Sequence, residues 1–150
     1  MVNVTLRSVK GSSLTHTEMD ANWTNLKTAV ELVPANQFNV TVALDDEQGL
    51  SKYLFNGYGT VNDFQPKLLL LPGFKYYFNI DASGHPFYIT IRQQATASTV
   101  AANAWTDGVT GNGTDSGTVS IEIMHDFPST LHYHCGVHTH MNGEIKIIGV

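Results

Sequence analysis

Residues 133–141 read Tyr-His-Cys-Gly-Val-His-Thr-His-Met and contain the only cysteine of the 150-residue chain. Within them, Cys135, His138 and Met141 stand at the spacing Cys-x2-His-x2-Met. A thiolate, an imidazole and a thioether suit copper better than they suit magnesium or calcium. A copper site built from one thiolate, two imidazoles and a weak axial thioether needs a second histidine from elsewhere in the chain.

The best candidate for that second histidine is His85, in the segment Asp-Ala-Ser-Gly-His-Pro-Phe at positions 81–87. It lies between two strand-like apolar runs, residues 74–80 and residues 87–91. A histidine at the end of a strand can reach a loop that is distant in sequence. We therefore expect His85 to approach residues 133–141.

The order of these residues, one histidine followed by Cys-x2-His-x2-Met in the last loop between strands, resembles that of the cupredoxins. The short ligand loop is most similar to that of amicyanin. The resemblance extends over residues 36–150. It implies a mainly β, cupredoxin-like Greek-key sandwich with one mononuclear copper site, and it implies a ligand set composed of His85, Cys135, His138 and Met141.

Two features of the sequence depart from the cupredoxin pattern around the site. Cupredoxins often have asparagine after the first histidine ligand, whereas Pro86 stands there and has no backbone N–H to donate. The hydrogen bonds that orient the ligands are therefore expected to differ. His140, one residue before Met141, competes with it as a candidate ligand.

Each candidate ligand also has an ordinary structural interpretation. Cys135 would then be a small buried hydrophobe and Met141 a filler of the core, while the histidines would be satisfied polar residues. The joint occurrence of these residues at this spacing favours copper. Two alternatives stay open, a site that has kept the pattern but is empty, and a site that holds zinc, for which cysteine and histidine are also good ligands.

Short apolar runs with turn residues between them predict seven or eight strands from residue 37 onward, which favours a Greek-key sandwich or barrel. The predicted strands lie near residues 38–44, 53–55, 68–71, 74–80, 87–91, 119–123, 131–135 and 144–150. Residues 92–117 are rich in Ala, Thr, Gly, Asn and Asp and predict a long surface excursion with little core of its own. If Cys135 points inward, strand alternation turns His132 and His134 outward, so we expect these two to be solvated, as are His16 and His125.

Composition excludes several classes of protein. A hydrophobic content of 42% with 14% charged residues is typical of a globular chain. The net charge of −5 and the absence of any run of Lys or Arg argue against nucleic acid as a partner. One cysteine excludes an intramolecular disulfide. No apolar run is long enough for a signal peptide or a membrane span, which argues against an exported electron carrier and against a membrane partner.

The N-terminal part predicts a short α-helix. Thr15 and Glu18 form a capping box, and Pro34 ends the helical pattern. A stripe at heptad spacing runs along one face and consists of Met19, Trp23, Leu26, Val30 and Val33. Either this stripe packs on its own domain, or it makes the helix self-associate, with a trimer as the favoured homo-oligomer. We predict an arm at 1–12, the helix at 13–34 and the cupredoxin-like domain at 35–150.

A second resemblance covers residues 10–26, Lys-Gly-Ser-Ser-Leu-Thr-His-Thr-Glu-Met-Asp-Ala-Asn-Trp-Thr-Asn-Leu. This segment is similar to one that recurs in tail-fibre and other virion proteins of tailed phages. The resemblance implies a structural protein of the tail, neck, fibre or capsid surface, assembled in the host cytoplasm with other virion proteins as partners. It agrees with the missing signal peptide and with the heptad stripe.

These observations leave two classes of function. The first, which we predict, is a phage virion structural protein built on a cupredoxin-like domain with a copper-competent site. The alternative is a soluble blue-copper electron-transfer protein with a redox partner. No enzyme activity is predicted, because no carboxylate pair or nucleophile–base pair accompanies the motif.

Overall fold

The computed structural model describes residues 36–45, 47–56, 63–94 and 96–149, together with Thr15, Thr17, Met19 and Asn22. The chain divides into two units, residues 1–35 and residues 36–150. In the described part of the chain, no helix is long and apolar enough to cross a membrane.

In the first unit, Thr17, Met19 and Asn22 are helical. The backbone N–H of Met19 donates to the carbonyl oxygen of Thr15 at 3.0 Å, which is the i to i−4 bond of an α-helix. The other members of the predicted stripe lie outside the described residues, as do the ends of the helix. Self-association through this helix and the domain boundaries therefore stay predictions.

The second unit consists of two β-sheets. Its strands are β1 (Gln37–Leu44), β2 (Ser51–Asn56), β3 (Asp63–Phe64), β4 (Leu68–Leu70), β5 (Lys75–Asp81), β6 (Phe87–Thr90), β7 (Val109–Thr110), β8 (Ser116–Glu122), β9 (Thr130–Cys135) and β10 (Asn142–Ile147). One sheet has the order β3-β2-β1-β5-β8-β7 and the other the order β4-β10-β9-β6. The β1/β5 and β4/β10 pairs are parallel, and the other pairs are antiparallel. The mainly β sandwich of two sheets that the sequence predicts is confirmed.

The core between the sheets combines aliphatic side chains with a cluster of aromatic rings. Alternate residues of each strand point inward, so that β5 buries Tyr76, Phe78 and Ile80 while Lys75 and Asp81 at its ends stay exposed. Phe87 of the second sheet stacks on Phe78 of the first with ring centroids 5.4 Å apart. Burial of each such ring contributes about 1.5–3 kcal/mol. The start of β6 and the end of β9 pair at one end of this core, through Phe87 and Cys135.

The long excursion after β6 has little core of its own, as the sequence predicts, because Gln94 and Val100 are its only buried side chains among the described residues, but it packs against the edge of the sheet. Val100 is fully buried. The backbone N–H of Trp105 donates to the carbonyl oxygen of Ile89 at 2.8 Å. The side chain of Asn112 accepts from the N–H of Ile89 at 2.7 Å and donates to its carbonyl oxygen at 3.1 Å. The excursion thus serves as an additional partner for the free edge of β6 and covers it.

The same packing corrects the prediction for two histidines. His134 is fully buried, and its Nε2 accepts a hydrogen bond from the backbone N–H of Gln94 at 3.0 Å. His132 is half-buried. Both side chains do turn away from the core, but the chain after β6 folds back over that outer face. His125 is exposed, as expected, and His16 lies outside the described residues.

Candidate metal centre

Three predicted ligands converge at one end of the sandwich. Cys135 is the last residue of β9, His138 lies in the β9–β10 loop, and His85 lies in the β5–β6 loop, 50 residues before the cysteine. The Cys135 Sγ is 3.9 Å from His85 Nδ1 and 3.8 Å from His138 Nδ1. The two Nδ1 atoms are 3.1 Å apart. Among the described residues this is the one group of three or more His, Cys, Asp or Glu side chains with metal-binding geometry.

These distances would allow one metal ion to be held by all three atoms. A trigonal ion at about 2.3 Å from sulfur and about 2.0 Å from nitrogen separates the sulfur and nitrogen atoms by about 3.7 Å. The two sulfur–nitrogen distances, 3.9 and 3.8 Å, are close to that value. The nitrogen–nitrogen distance of 3.1 Å is shorter than the about 3.5 Å between two nitrogen ligands of an ideal trigonal ion.

The thiol of Cys135 is held from several sides. The residue is fully buried and pairs with Phe87 across the β6/β9 ladder. Its backbone N–H donates to the carbonyl oxygen of Met141 at 2.8 Å, which closes the ligand loop. The backbone N–H of Val137 donates to Sγ at 3.4 Å. That donor would stabilise negative charge on the sulfur, as a bound thiolate requires.

The loop that carries His85 is fixed through its backbone. The His85 N–H donates to the carbonyl oxygen of Ala82 at 2.8 Å, and the N–H of Gly84 donates to the Asp115 carboxylate at 2.8 Å. The buried hydroxyl of Tyr53 donates to the carbonyl oxygen of His85 at 2.7 Å. These hydrogen bonds within the protein hold His85 in position without a bound metal.

Pro86 connects the two loops that carry the candidate ligands. It does so through its carbonyl oxygen, so the absence of an N–H does not affect this bond. Its carbonyl oxygen accepts a hydrogen bond from the backbone N–H of Gly136 at 2.9 Å. The bond ties the residue after one ligand, His85, to the residue after another, Cys135. With proline in place of asparagine, the sequence predicts that the hydrogen bonds supporting the ligands differ from the usual cupredoxin pattern. The structure shows a backbone hydrogen bond between the two loops at this place.

Met141 and His140 differ in where they lie. Met141 is fully buried, and its N–H donates to the carbonyl oxygen of His138 at 3.2 Å. His140 is half-buried, is not a member of the metal-binding cluster, and places its Nε2 3.0 Å from the carbonyl oxygen of Ser51. Because a carbonyl can only accept, this Nε2 carries a proton. The candidate axial position of Met141 stays a prediction.

Electrostatics favour the neutral form of His85, which is the form that can bind a metal. Burial lowers the pKa of His85 below its usual range, and the neighbouring His138 and His140 lower it further. The ring of His85 is therefore neutral near pH 7 and has a nitrogen lone pair for a metal. Burial raises the pKa of Tyr53 well above its usual range, so its hydroxyl stays a donor.

Several supporting residues could not be identified from the sequence. Tyr53 looks like an ordinary inward residue of a strand, and Asp115 lies in the excursion that the composition assigns to the surface. Gln65 donates its side-chain Nε2 to the carbonyl oxygen of His140 at 3.0 Å, from 75 residues away. These contacts join distant segments, and no local pattern signals them.

Comparison with known proteins gives likenesses in structure only. No protein-family model and no curated protein sequence matches the chain. The copper protein rusticyanin is similar at a TM-score of 0.45 and 19% identity, over 75% of this chain and 78% of that one. Rusticyanin from Thiobacillus ferrooxidans in a second structure has a TM-score of 0.43 and 18% identity, over 75% of this chain and 77% of that one. A purple cupredoxin from Nitrosopumilus maritimus has a TM-score of 0.40 and 12% identity, over 73% and 97%. Because all three TM-scores are below 0.5, the assignment of the site rests on the geometry of its own side chains.

Proposed function

We propose that this protein binds one copper ion through His85, Cys135 and His138, with Met141 as a weak axial ligand, and transfers single electrons. The observation that carries the proposal is the convergence of one thiol and two imidazoles from two separate loops at trigonal ligand distances. One thiolate, two imidazoles and a weak axial thioether form the ligand set of copper electron-transfer sites.

Copper fits this donor set better than zinc does. Structural zinc sites use four strong ligands in a tetrahedron. The described residues supply three such ligands, and the predicted fourth, Met141, offers a weak and soft thioether that suits copper. When bound, copper would supply a one-electron couple between its two common oxidation states.

The residues of this chain contribute rigidity and access. The backbone bonds around His85, Pro86 and Cys135 fix the ligands so that they need to move little when the charge at the site changes. Cys135 is fully buried, which excludes water from the sulfur. His138 is half-buried and follows Val137, whose side chain is 52% exposed. Within this loop, the ring of His138 is therefore where a redox partner would come closest to the site.

The first experiment is to titrate the reduced protein with Cu(II) while recording its visible spectrum. An intense charge-transfer band from the copper–thiolate bond is expected, together with a reversible one-electron wave in voltammetry. Cys135→Ser should abolish the band. His125→Ala, which changes an exposed histidine outside the cluster, should leave it intact. Absence of the band in the unaltered protein, or its survival in Cys135→Ser, would contradict the proposal.

Electron transfer, the alternative that the sequence leaves open, has more support than the virion function that the sequence predicts. The virion function rests on residues 10–33, most of which lie outside the described residues. The copper function rests on described side chains and on measured distances between them. Self-association and virion partners stay predictions.

A further inference from the structure

Gln65 has an unusual backbone conformation. Among the described residues it is the only one other than glycine with a positive φ, at 49°. An L-residue with a β-carbon pays a steric cost in this left-handed region, and glycine or asparagine adopts it more easily. If this position only formed a turn between β3 and β4, glycine or asparagine would fit it better than glutamine. Residues held in such conformations are found most often at functional sites.

The side chain of Gln65 shows what glutamine adds at this position. Its Nε2 donates to the carbonyl oxygen of His140 at 3.0 Å. Its Oε1 is buried without a hydrogen-bond partner, which is a second unfavourable feature at the same residue. Gln65 therefore has both a strained backbone and a buried oxygen without a partner. Its side chain makes one long-range hydrogen bond, and that bond reaches the loop that carries His138 and Met141.

His140 is held at both of its ends. Gln65 binds its backbone, and the carbonyl oxygen of Ser51 accepts from its ring Nε2 at 3.0 Å. Without these bonds the ring is close enough to compete for the metal, because its centroid is 5.6 Å from that of the ligand His138. It is also the residue directly before Met141. Imidazole is a stronger ligand for copper than a thioether, so His140 would win an unrestrained competition.

We propose that Gln65 is a positioning residue that keeps His140 turned towards Ser51 and thereby reserves the axial position for Met141. The inference rests on the proposed copper site and adds a determinant of its axial ligand. Gln65 acts through His140 and does not touch the metal. It selects among the ligands that the short loop offers.

The test compares the Cu(II) forms of four proteins: the unaltered chain, Gln65→Gly, His140→Phe and the double variant. Gln65→Gly removes the amide while relieving the backbone strain. We expect it to change the shape of the electron paramagnetic resonance signal and to lower the reduction potential, because imidazole favours Cu(II). His140→Phe alone should resemble the unaltered protein, and the double variant should return to that spectrum. Gln65→Asn, which tolerates the same backbone but has a shorter side chain, repeats the test if the glycine variant does not fold.

A measurement without metal gives an independent readout. Nitrogen NMR of the histidine rings in the reduced, metal-free protein should show His140 protonated at Nε2 in the unaltered chain. In Gln65→Gly a mixture of the two ring tautomers is expected. Retention of the single tautomer would overturn the positioning role.

The remaining outcomes separate this inference from the proposed function. If the unaltered protein shows no copper–thiolate band, the proposed function fails and the axial role fails with it. If the band is normal but Gln65→Gly leaves the resonance signal and the potential unchanged, only the role of Gln65 is overturned. A changed signal in His140→Phe alone would also overturn it, because His140 would then already be a ligand.

Discussion

The hydroxyl of Tyr53, on β2 of one sheet, donates to the carbonyl oxygen of His85, in a loop next to the other sheet, at 2.7 Å. The ring of Tyr53 is fully buried and contacts Phe87 edge-on with centroids 5.2 Å apart. One side chain thus connects the packing of the core to the backbone of the candidate ligand His85. The hydrogen bond orients the ligand loop, and the ring makes that orientation rigid.

Tyr53→Phe is expected to weaken copper binding while the core stays packed. The variant keeps the ring but removes the donor to His85, so that loop becomes free to move. Partners of metal ligands typically change metal affinity about 10–100-fold when they are altered, and we expect a loss at the lower end, about 10-fold. Competition with a chelator measures the affinity. Tyr77→Phe, on β5 of the same sheet and outside the cluster, is the matched control, and an equal loss in both variants would contradict this role.

Copper should raise the thermal stability of the protein. The ligand atoms come from loops far apart in sequence, so the unfolded chain binds the ion weakly and binding favours the folded state. At a free metal concentration 100 times the dissociation constant, the gain is about 2.7 kcal/mol. Calorimetry with and without the ion tests this. Cys135→Ser should show little of the gain, and an equal gain in that variant would mean that copper binds elsewhere.

Asn112→Ala should destabilise the fold without altering the metal site directly. The side chain of Asn112 makes three hydrogen bonds, two with the backbone of Ile89 and one with the carbonyl oxygen of Trp105. Their loss at a partly buried edge is expected to cost about 2–3 kcal/mol. Urea unfolding provides the measurement. The exposed pair of Asn79 and Asn39 offers a control, and Asn79→Ala should cost much less.

The stability of the metal-free protein should fall as the pH drops below about 6.5, the usual pKa of histidine in an unfolded chain. Burial lowers the pKa of His134, and so does the neighbouring His132, whose own pKa burial lowers too. The unfolded state therefore binds protons more readily than the folded state does. Stability is fully present above the unfolded pKa and is lost as the pH falls towards the lowered folded values.

His134→Gln provides the control for this pH dependence. Glutamine keeps an acceptor for the backbone N–H of Gln94 but does not titrate in this range. The slope of unfolding free energy against pH between about 5 and 6.5 should become shallower in the variant. An unchanged slope would show that His134 does not contribute.

The sequence predicts the metal site better than it predicts the site's surroundings. Cys135 and His138 lie three residues apart, so their proximity is nearly assured by local geometry. A strand end can reach a distant loop, and the structure places His85 beside Cys135 and His138, while metal binding by these residues stays a prediction. The bonds from Tyr53 and Gln65 depend on which segments pack together, which the alternation of polar and apolar residues does not encode.

His134 shows the limit of alternation most clearly. A period of two correctly separates its side chain from that of Cys135, but it does not tell whether the outer face meets water or another part of the chain. The polar composition of residues 92–117 concealed a segment that packs through backbone bonds and through Asn112. The two-residue strands β3 and β7 were missed because they are too short to show a period.

The pairing of Cys135 with Phe87 makes the metal site sensitive to strand register. A slip of one residue between β6 and β9 would shift the thiol by about 3.3 Å and turn it to the opposite face of the sheet, away from both imidazoles. Misfolded chains with a shifted ladder would remain colourless in the presence of copper. The appearance of colour during refolding would therefore count the molecules that have aligned these two strands correctly.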